Sequence, residues 1–167
     1  MELNKIPARK LRNSAVIVLH ELSTDSLILT KRSITLRNHP GEICFPGGVW
    51  EKQDENLYAT ALRELHEELG INKDRITLIK ELQIEQTLLG SIIHPWLANI
   101  ETIQPYLLNL PEVTALIQIP WSLVINPKNY RNLIVEKAGI NFKSCKFVPN
   151  DELIWGATAR IMKQLTL

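Results

Sequence analysis

Three glutamates, Glu64, Glu67 and Glu68, stand at i, i+3 and i+4 within the run Arg-Glu-Leu-His-Glu-Glu-Leu-Gly-Ile over residues 63–71. Around them Tyr58, Ala61, Leu62, Leu65 and Leu69 recur at helical spacing. The two patterns constrain residues 57–69 to a helix with an apolar stripe beside an arc of carboxylates. That arc spans about 100° of the helix surface. Gly70 follows where a left-handed residue ends a helix. Glu68 lies nearest the stripe and is expected to be the most buried of the three.

A tight set of oxygen ligands suits a hard cation such as Mg²⁺ or Mn²⁺, the ions of phosphate chemistry. The plain alternative is a solvated acidic face, because like charges at i, i+4 cost only about 0.2–0.5 kcal/mol on an exposed helix. Drawn into a cleft, each pair would repel by roughly 3 kcal/mol at about 5 Å and an effective dielectric near 20. A cation or a raised pKa must then follow.

The order of residues decides between these readings. Gly48 precedes the run, and Arg63, Glu64, Leu65, Glu67, Glu68, Gly70 and Ile71 follow one another as in the Nudix box, Gly-x5-Glu-x7-Arg-Glu-U-x-Glu-Glu-x-Gly-U with U a bulky aliphatic residue. The departure is central. Asp54 keeps the first spacing and Glu55 the second, so either could fill the early acidic position. Upstream, Leu29, Thr30, Arg32, Ser33, Leu36, Gly41, Phe45, Pro46, Gly47 and Gly48, with Ile28 and Ile43 as aliphatic replacements, resemble the signature that precedes the box in coenzyme A pyrophosphatases. That subgroup tends to carry a lengthened box with aspartate at the position of Asp54. The resemblance is strong over residues 29–71 and thin over 80–150.

This resemblance implies an α/β/α sandwich with a central mixed sheet. It also implies Mg²⁺- or Mn²⁺-dependent hydrolysis of the diphosphate bridge of coenzyme A, or of its acylated or oxidised forms. Glu64, Glu67 and Glu68 would ligate the metal with help from the Gly48 main chain, and Arg63 would hold the carboxylates by a bidentate bond that lysine does not copy. Glu112 would add a carboxylate from outside the box, as base or ligand. Arg32, Ser33 and Arg37, with Gly47 and Gly48, would face the substrate. Lys31 and His39 are weaker donors. The plain readings are a solvated arginine for Arg63, a tight turn for Gly47 and Gly48, and surface charges for the rest. Two rival functions stay open: hydrolysis of another nucleotide such as ADP-ribose or a nucleoside triphosphate, and a sensor that binds a nucleotide without turning it over.

The net charge of +1 lacks the basic excess of a general nucleic-acid binder. No apolar run approaches the roughly 18 residues of a membrane span. Cys44 and Cys145 fit a reduced cytoplasm better than a disulfide scaffold. The expected organisation is one domain over 1–167 with an arm at 1–12. A homodimer stays open.

Along the chain, 15–22 and 27–31 read as a hairpin and 42–45 as a short strand, followed by a sharp turn at Pro46-Gly47-Gly48. Residues 76–84 and 92–100 read as paired strands, 113–119 as another, 121–124 as a helical turn, and 131–136 with 143–148 as a pair across Gly139. A last helix is expected over 152–165, capped by Asn150 or Asp151. His20 and His94 read as structural, His66 as solvent-facing, and Trp96, Trp121 and Trp155 as core.

Overall fold

The computed structural model describes residues 11–87 and 90–166, so the expected arm lies almost wholly outside the described residues. The first strands are β1 (Asn13–Glu21), β2 (Ser26–Arg32), β3 (Ile43–Cys44) and β4 (Gly47–Val49). Helix α1 (Leu57–Leu69) follows, then a 3-10 turn at Lys73–Arg75. Next come β5 (Thr77–Glu81), β6 (Glu85–Gln86), β7 (Ile92–Ile100), β8 (Val113–Pro120) and α2 (Trp121–Val124). The chain closes with β9 (Tyr130–Lys137), β10 (Ile140–Phe147), β11 (Ile154–Trp155) and α3 (Gly156–Lys163).

β1 is the axis of the main sheet. It pairs in parallel with β7 from Asn13↔Ile92 to Glu21↔Ile100 and antiparallel with β2 and β4 on its other edge. Its apolar run is buried from both sides, as a covered strand requires. Ala15, Ile17 and Leu19 join Ala61, Leu65, Leu69, Ala98 and Ile100 in a core under α1. Val18 points the opposite way, toward Phe45, Tyr130, Phe147, Ile161 and Met162 under α3 and the β9–β11 sheet. This alternation across one strand makes the mixed sheet the middle layer of an α/β/α sandwich. No helix among the described residues is long and apolar enough to cross a membrane.

Local signals hold α1 where they predict it. The Asn56 side chain caps its start by accepting from the Ala59 amide at 2.8 Å. Gly70, at φ +66°, ends it by donating to the His66 carbonyl at 2.9 Å.

Two expectations change. Gly47 and Gly48 do not form a turn. They extend as β4 in register with Val16 and Ala15, while Ile43 and Cys44 pair with Lys31 and Thr30 of β2. The 43–49 segment is thus wedged between β1 and β2 where they separate, closed by a hydrogen bond from the Ile17 amide to the Pro46 carbonyl at 2.9 Å. Glycine is required there by proximity rather than by backbone angle. The last helix, moreover, begins at Gly156 rather than near residue 152. Ile154 and Trp155 pair with β10 instead, which buries Ile154 completely. Gly156, at φ +66°, makes the turn into α3, and Asn150 donates to the Glu152 carbonyl without capping a helix.

A Cβ on Gly47 would lie 2.3 Å from the Ala15 carbonyl oxygen and 2.8 Å from the Val16 Cα. Main chain cannot yield as a side chain does. Gly47→Ala is therefore expected to cost about 1–3 kcal/mol, read as a lower urea midpoint at unchanged slope; an unchanged midpoint would show that β4 can move away from β1.

Candidate metal and diphosphate site

Arg63 leaves the first half of α1 toward the loop that precedes it. Its Nε and Nη2 donate to the two oxygens of Asp54 at 2.8 and 3.0 Å. Nη2 also donates to the Val49 carbonyl at 3.1 Å. Nη1 reaches Glu64 at 3.1 Å and Glu67 at 3.2 Å. Asp54 is buried and takes two further donors at 2.9 Å, the Glu51 amide and the Thr60 hydroxyl. The Arg63 hydrogen bonds lead the causes that hold its carboxyl down at about 2, and the same partnership raises the Arg63 pKa further. Of the two early acidic positions, Asp54 meets Arg63, and Glu55 is exposed.

On the neighbouring face the balance reverses. Glu64, Glu68 and Glu112 each place a carboxylate oxygen within 4.8 Å of the others. Glu68 is 5% exposed, and its Oε2 has no hydrogen-bond partner among the described residues. Burial raises its pKa to about 8, assisted by the charges of Glu64 and Glu112 and opposed by Arg32 and the Gly47 amide. Burial likewise raises Glu64 to about 7, opposed by Arg63. Gly48 makes room for this arrangement, since a Cβ there would fall 2.2 Å from Glu64 Oε1. An orphaned buried oxygen, a carboxylate seated where a Cβ would be, and three hard oxygen donors together fit a divalent cation.

The other sequence-derived candidates take different places. Glu67 is exposed and bound to Arg63, on the rim of the cluster. Glu112 comes from the end of the 101–112 segment, its amide on the Asn109 carbonyl at 2.8 Å and its carbonyl held by the Ser33 amide at 2.9 Å. The buried Ser33 hydroxyl is spent on Thr35 at 2.8 Å. Arg32 is half-buried, turned onto the Asn38 carbonyl at 3.0 Å, and close enough to act on the charge of Glu68. Arg37 is exposed on the following loop. His39 pairs with Glu42 at 3.1 Å, which raises its pKa. A groove of about 720 Å³ runs along α1 past Tyr58, Leu62, Arg63 and His66; none of the three clustered carboxylates lines it. Sequence reasoning passed over Thr60, whose signal was a hydroxyl on the apolar side of a helix. It also passed over the main-chain supports of Glu112, which leave no mark in residue type.

A family model described as NUDIX domain matches residues 10–116, a span that holds every carboxylate of the cluster. A protein named uncharacterized Nudix hydrolase NudL from Photorhabdus laumondii is 33% identical over 140 residues, covering 84% of this chain and 75% of the relative. One of the same name from an Enterobacter species is 31% identical over 157 residues, covering 93% and 82%. Among solved structures, the binary complex of a C. elegans Ap4A hydrolase matches with a TM-score of 0.54 at 19% identity, over 66% of this chain and 80% of that one. The NUDIX domain of Shewanella oneidensis NrtR complexed with ADP ribose matches with a TM-score of 0.53 at 20% identity, over 69% and 76%. These two speak to the fold, and the relatives and the matched span to the family. The chain belongs to the Nudix family and is a hydrolase of pyrophosphate-containing substrates.

Proposed function

We propose that this protein cleaves the diphosphate bridge of coenzyme A, or of an acylated or oxidised coenzyme A, in a divalent-metal-dependent hydrolysis. The products are phosphopantetheine and adenosine 3′,5′-bisphosphate. The observation that carries the metal-dependent part is the buried, unpartnered Glu68 oxygen within reach of Glu64 and Glu112. The upstream segment 29–48 supports the coenzyme A part. It supplies Arg32 beside Glu68, the Ser33 amide that holds Glu112, and both glycines of β4.

Glu64, Glu68 and Glu112 would hold Mg²⁺ or Mn²⁺, with Glu67 and the Gly48 main chain at the margin. A divalent cation bound there neutralises phosphate charge and acidifies a coordinated water. Arg63 keeps Glu64 in place while its own charge is met by Asp54. Arg32 offers a cation to the phosphates or to the 3′-phosphate of the nucleotide, with Arg37 further out. A carboxylate oxygen of the cluster not taken up by the cation would accept the proton of the attacking water. Water adds to phosphorus, and the bridging P–O bond breaks. A cytoplasmic location is part of this reading. So is a single domain over 1–167, with the small-molecule substrate as its partner and a homodimer still open. ADP-ribose is the main competing substrate, favoured by the ligand of the NrtR domain.

Release of adenosine 3′,5′-bisphosphate from coenzyme A, followed by chromatography with Mg²⁺ and then with EDTA, tests the proposal. Metal-dependent cleavage selective for coenzyme A over ADP-ribose is expected; preference for ADP-ribose would overturn the substrate, and no cleavage of either would favour a sensor. Glu68→Gln is expected to leave the fold intact and lower turnover by at least about 100-fold. Near-normal turnover would remove the metal role of Glu68. Arg32→Ala is expected to raise KM for coenzyme A more than for ADP-ribose, and equal effects would deny Arg32 a part in recognition.

The raised carboxylates set a pH dependence. A group whose folded pKa exceeds its unfolded value favours the folded state most when protonated, so the metal-free protein loses stability as pH rises from 4.5 through about 7 for Glu64 and about 8 for Glu68. Asp54 has the opposite sign: its contribution is full above 3.8 and fades as pH falls toward about 2. Metal must displace the protons on Glu64 and Glu68. The rise in Tm on adding Mg²⁺ is therefore expected to grow between about pH 5 and about pH 9. A rise independent of pH would place the ion elsewhere.

A further inference from the structure

We propose that Arg75 is a positioning residue for Glu112, acting through the 101–112 segment. The inference rests on the reading of Glu112 as part of the metal cluster. This segment joins β7 to β8 without a helix or strand of its own. Ordering such a stretch costs backbone entropy at every residue, so the place of Glu112 depends on what ties the segment down.

The ties fall into three groups. At the entrance, buried Glu21 accepts from the Ile103 amide, and Ile103 is itself buried under α1. At the exit, the Leu107 and Asn109 amides donate to the Leu69 and Glu68 carbonyls at 2.9 and 3.0 Å. The Asn109 carbonyl then receives the Glu112 and Val113 amides at 2.8 and 2.9 Å. The exit therefore rests on the main chain of Glu68, one of the clustered residues. Between entrance and exit stands Arg75. Its Nη2 donates to the Thr102 and Gln104 carbonyls at 2.8 and 2.9 Å, and its Nη1 donates to the Pro105 carbonyl at 2.8 Å.

One guanidinium thus gathers three carbonyls, which needs the planar fork of arginine and gains from its charge. Arg75 belongs to the 3-10 turn that follows α1, closed by the Arg75 and Ile76 amides on Asn72 and Lys73. One end of the clamp is thereby fixed to the helix that carries Glu64 and Glu68, and the other to the segment that delivers Glu112. Releasing residues 102–105 frees the exit amides from α1, and Glu112 moves relative to the two helix carboxylates.

The test is a double-mutant cycle read as the affinity for Mn²⁺ alone, by calorimetry, with turnover measured in parallel. Arg75→Ala is expected to weaken Mn²⁺ binding by about 10-fold, the size usual for a residue that orients a ligand. Arg75→Lys, with a point charge in place of the fork, is expected to fall between this and the parent, and carries the cycle if the alanine variant does not fold. In a Glu112→Gln background the Arg75 change is expected to add almost nothing, because its effect passes through Glu112. A full additional loss in that background would make Arg75 merely structural and overturn the inference. Unchanged Mn²⁺ affinity in Arg75→Ala, with Glu112→Gln impaired, would overturn it while leaving the metal cluster standing. If Glu112→Gln itself binds Mn²⁺ and turns over normally, the role of Glu112 and the inference fail together.

Discussion

The bond between Arg63 and Asp54 organises everything around it. Asp54 is buried with a formal charge, which is costly unless every lone pair is used. Arg63, Thr60 and the Glu51 amide use them. A carboxylate held from three sides cannot rotate, so the guanidinium plane is set by the loop before α1, and with it the positions offered to Glu64 and Glu67. Truncating one partner of such a pair strands the other charge, at a typical cost of about 3–5 kcal/mol. The arrangement also divides the acids into two populations. Asp54 is satisfied and strongly acidic, at about 2, while Glu68 has an unpartnered oxygen and is weakly acidic, at about 8. Protein groups answer the first, and one oxygen of the second has no partner among the described residues.

The sheet explains why these groups meet. β1 and β2 hydrogen-bond only near their turn, through Leu19↔Ile28 to Glu21↔Ser26. Beyond it they part and admit the 43–49 segment. That places two glycines against the flank of α1 on one side and a main-chain carbonyl of β1 on the other. A Cβ on Gly47 would press on the β1 main chain and drive β4 away from it, and one on Gly48 would displace the Glu64 carboxylate. The two apolar cores above and below β1 resist such separation, because buried leucines such as Leu65 and Leu69 contribute about 1.5–3 kcal/mol each. Hydrophobic packing presses the elements together, and the glycines set how closely they come.

The helix was the most legible part of the chain. Its bounds follow from an apolar stripe and a glycine stop, both local signals, and the structure adds the Asn56 cap. The hairpin of β1 and β2 was legible for a similar reason, since covered strands are rich in aliphatic residues. The role of Pro46-Gly47-Gly48 was not. Adjacent glycines suggest a turn, and only the tertiary approach of Ala15 and Glu64 reveals why side chains are excluded there. α3 starts later than Asn150 and Asp151 predict because Ile154 enters the core as part of β11. At the site, the box pattern located Glu64, Glu67 and Glu68 together. Spacing along one helix cannot say which of them meets Glu112, a residue 44 positions beyond Glu68 in the chain.

The exit of the 101–112 segment is held on α1 by amides rather than by side chains. Leu107 and Leu110 are exposed, and the hydrogen bonds they frame would form equally well beneath other residues. This decouples the identity of the stretch from its shape. The side chains of Leu107 and Leu110 can therefore change while the carboxylate at the end of the segment keeps its position.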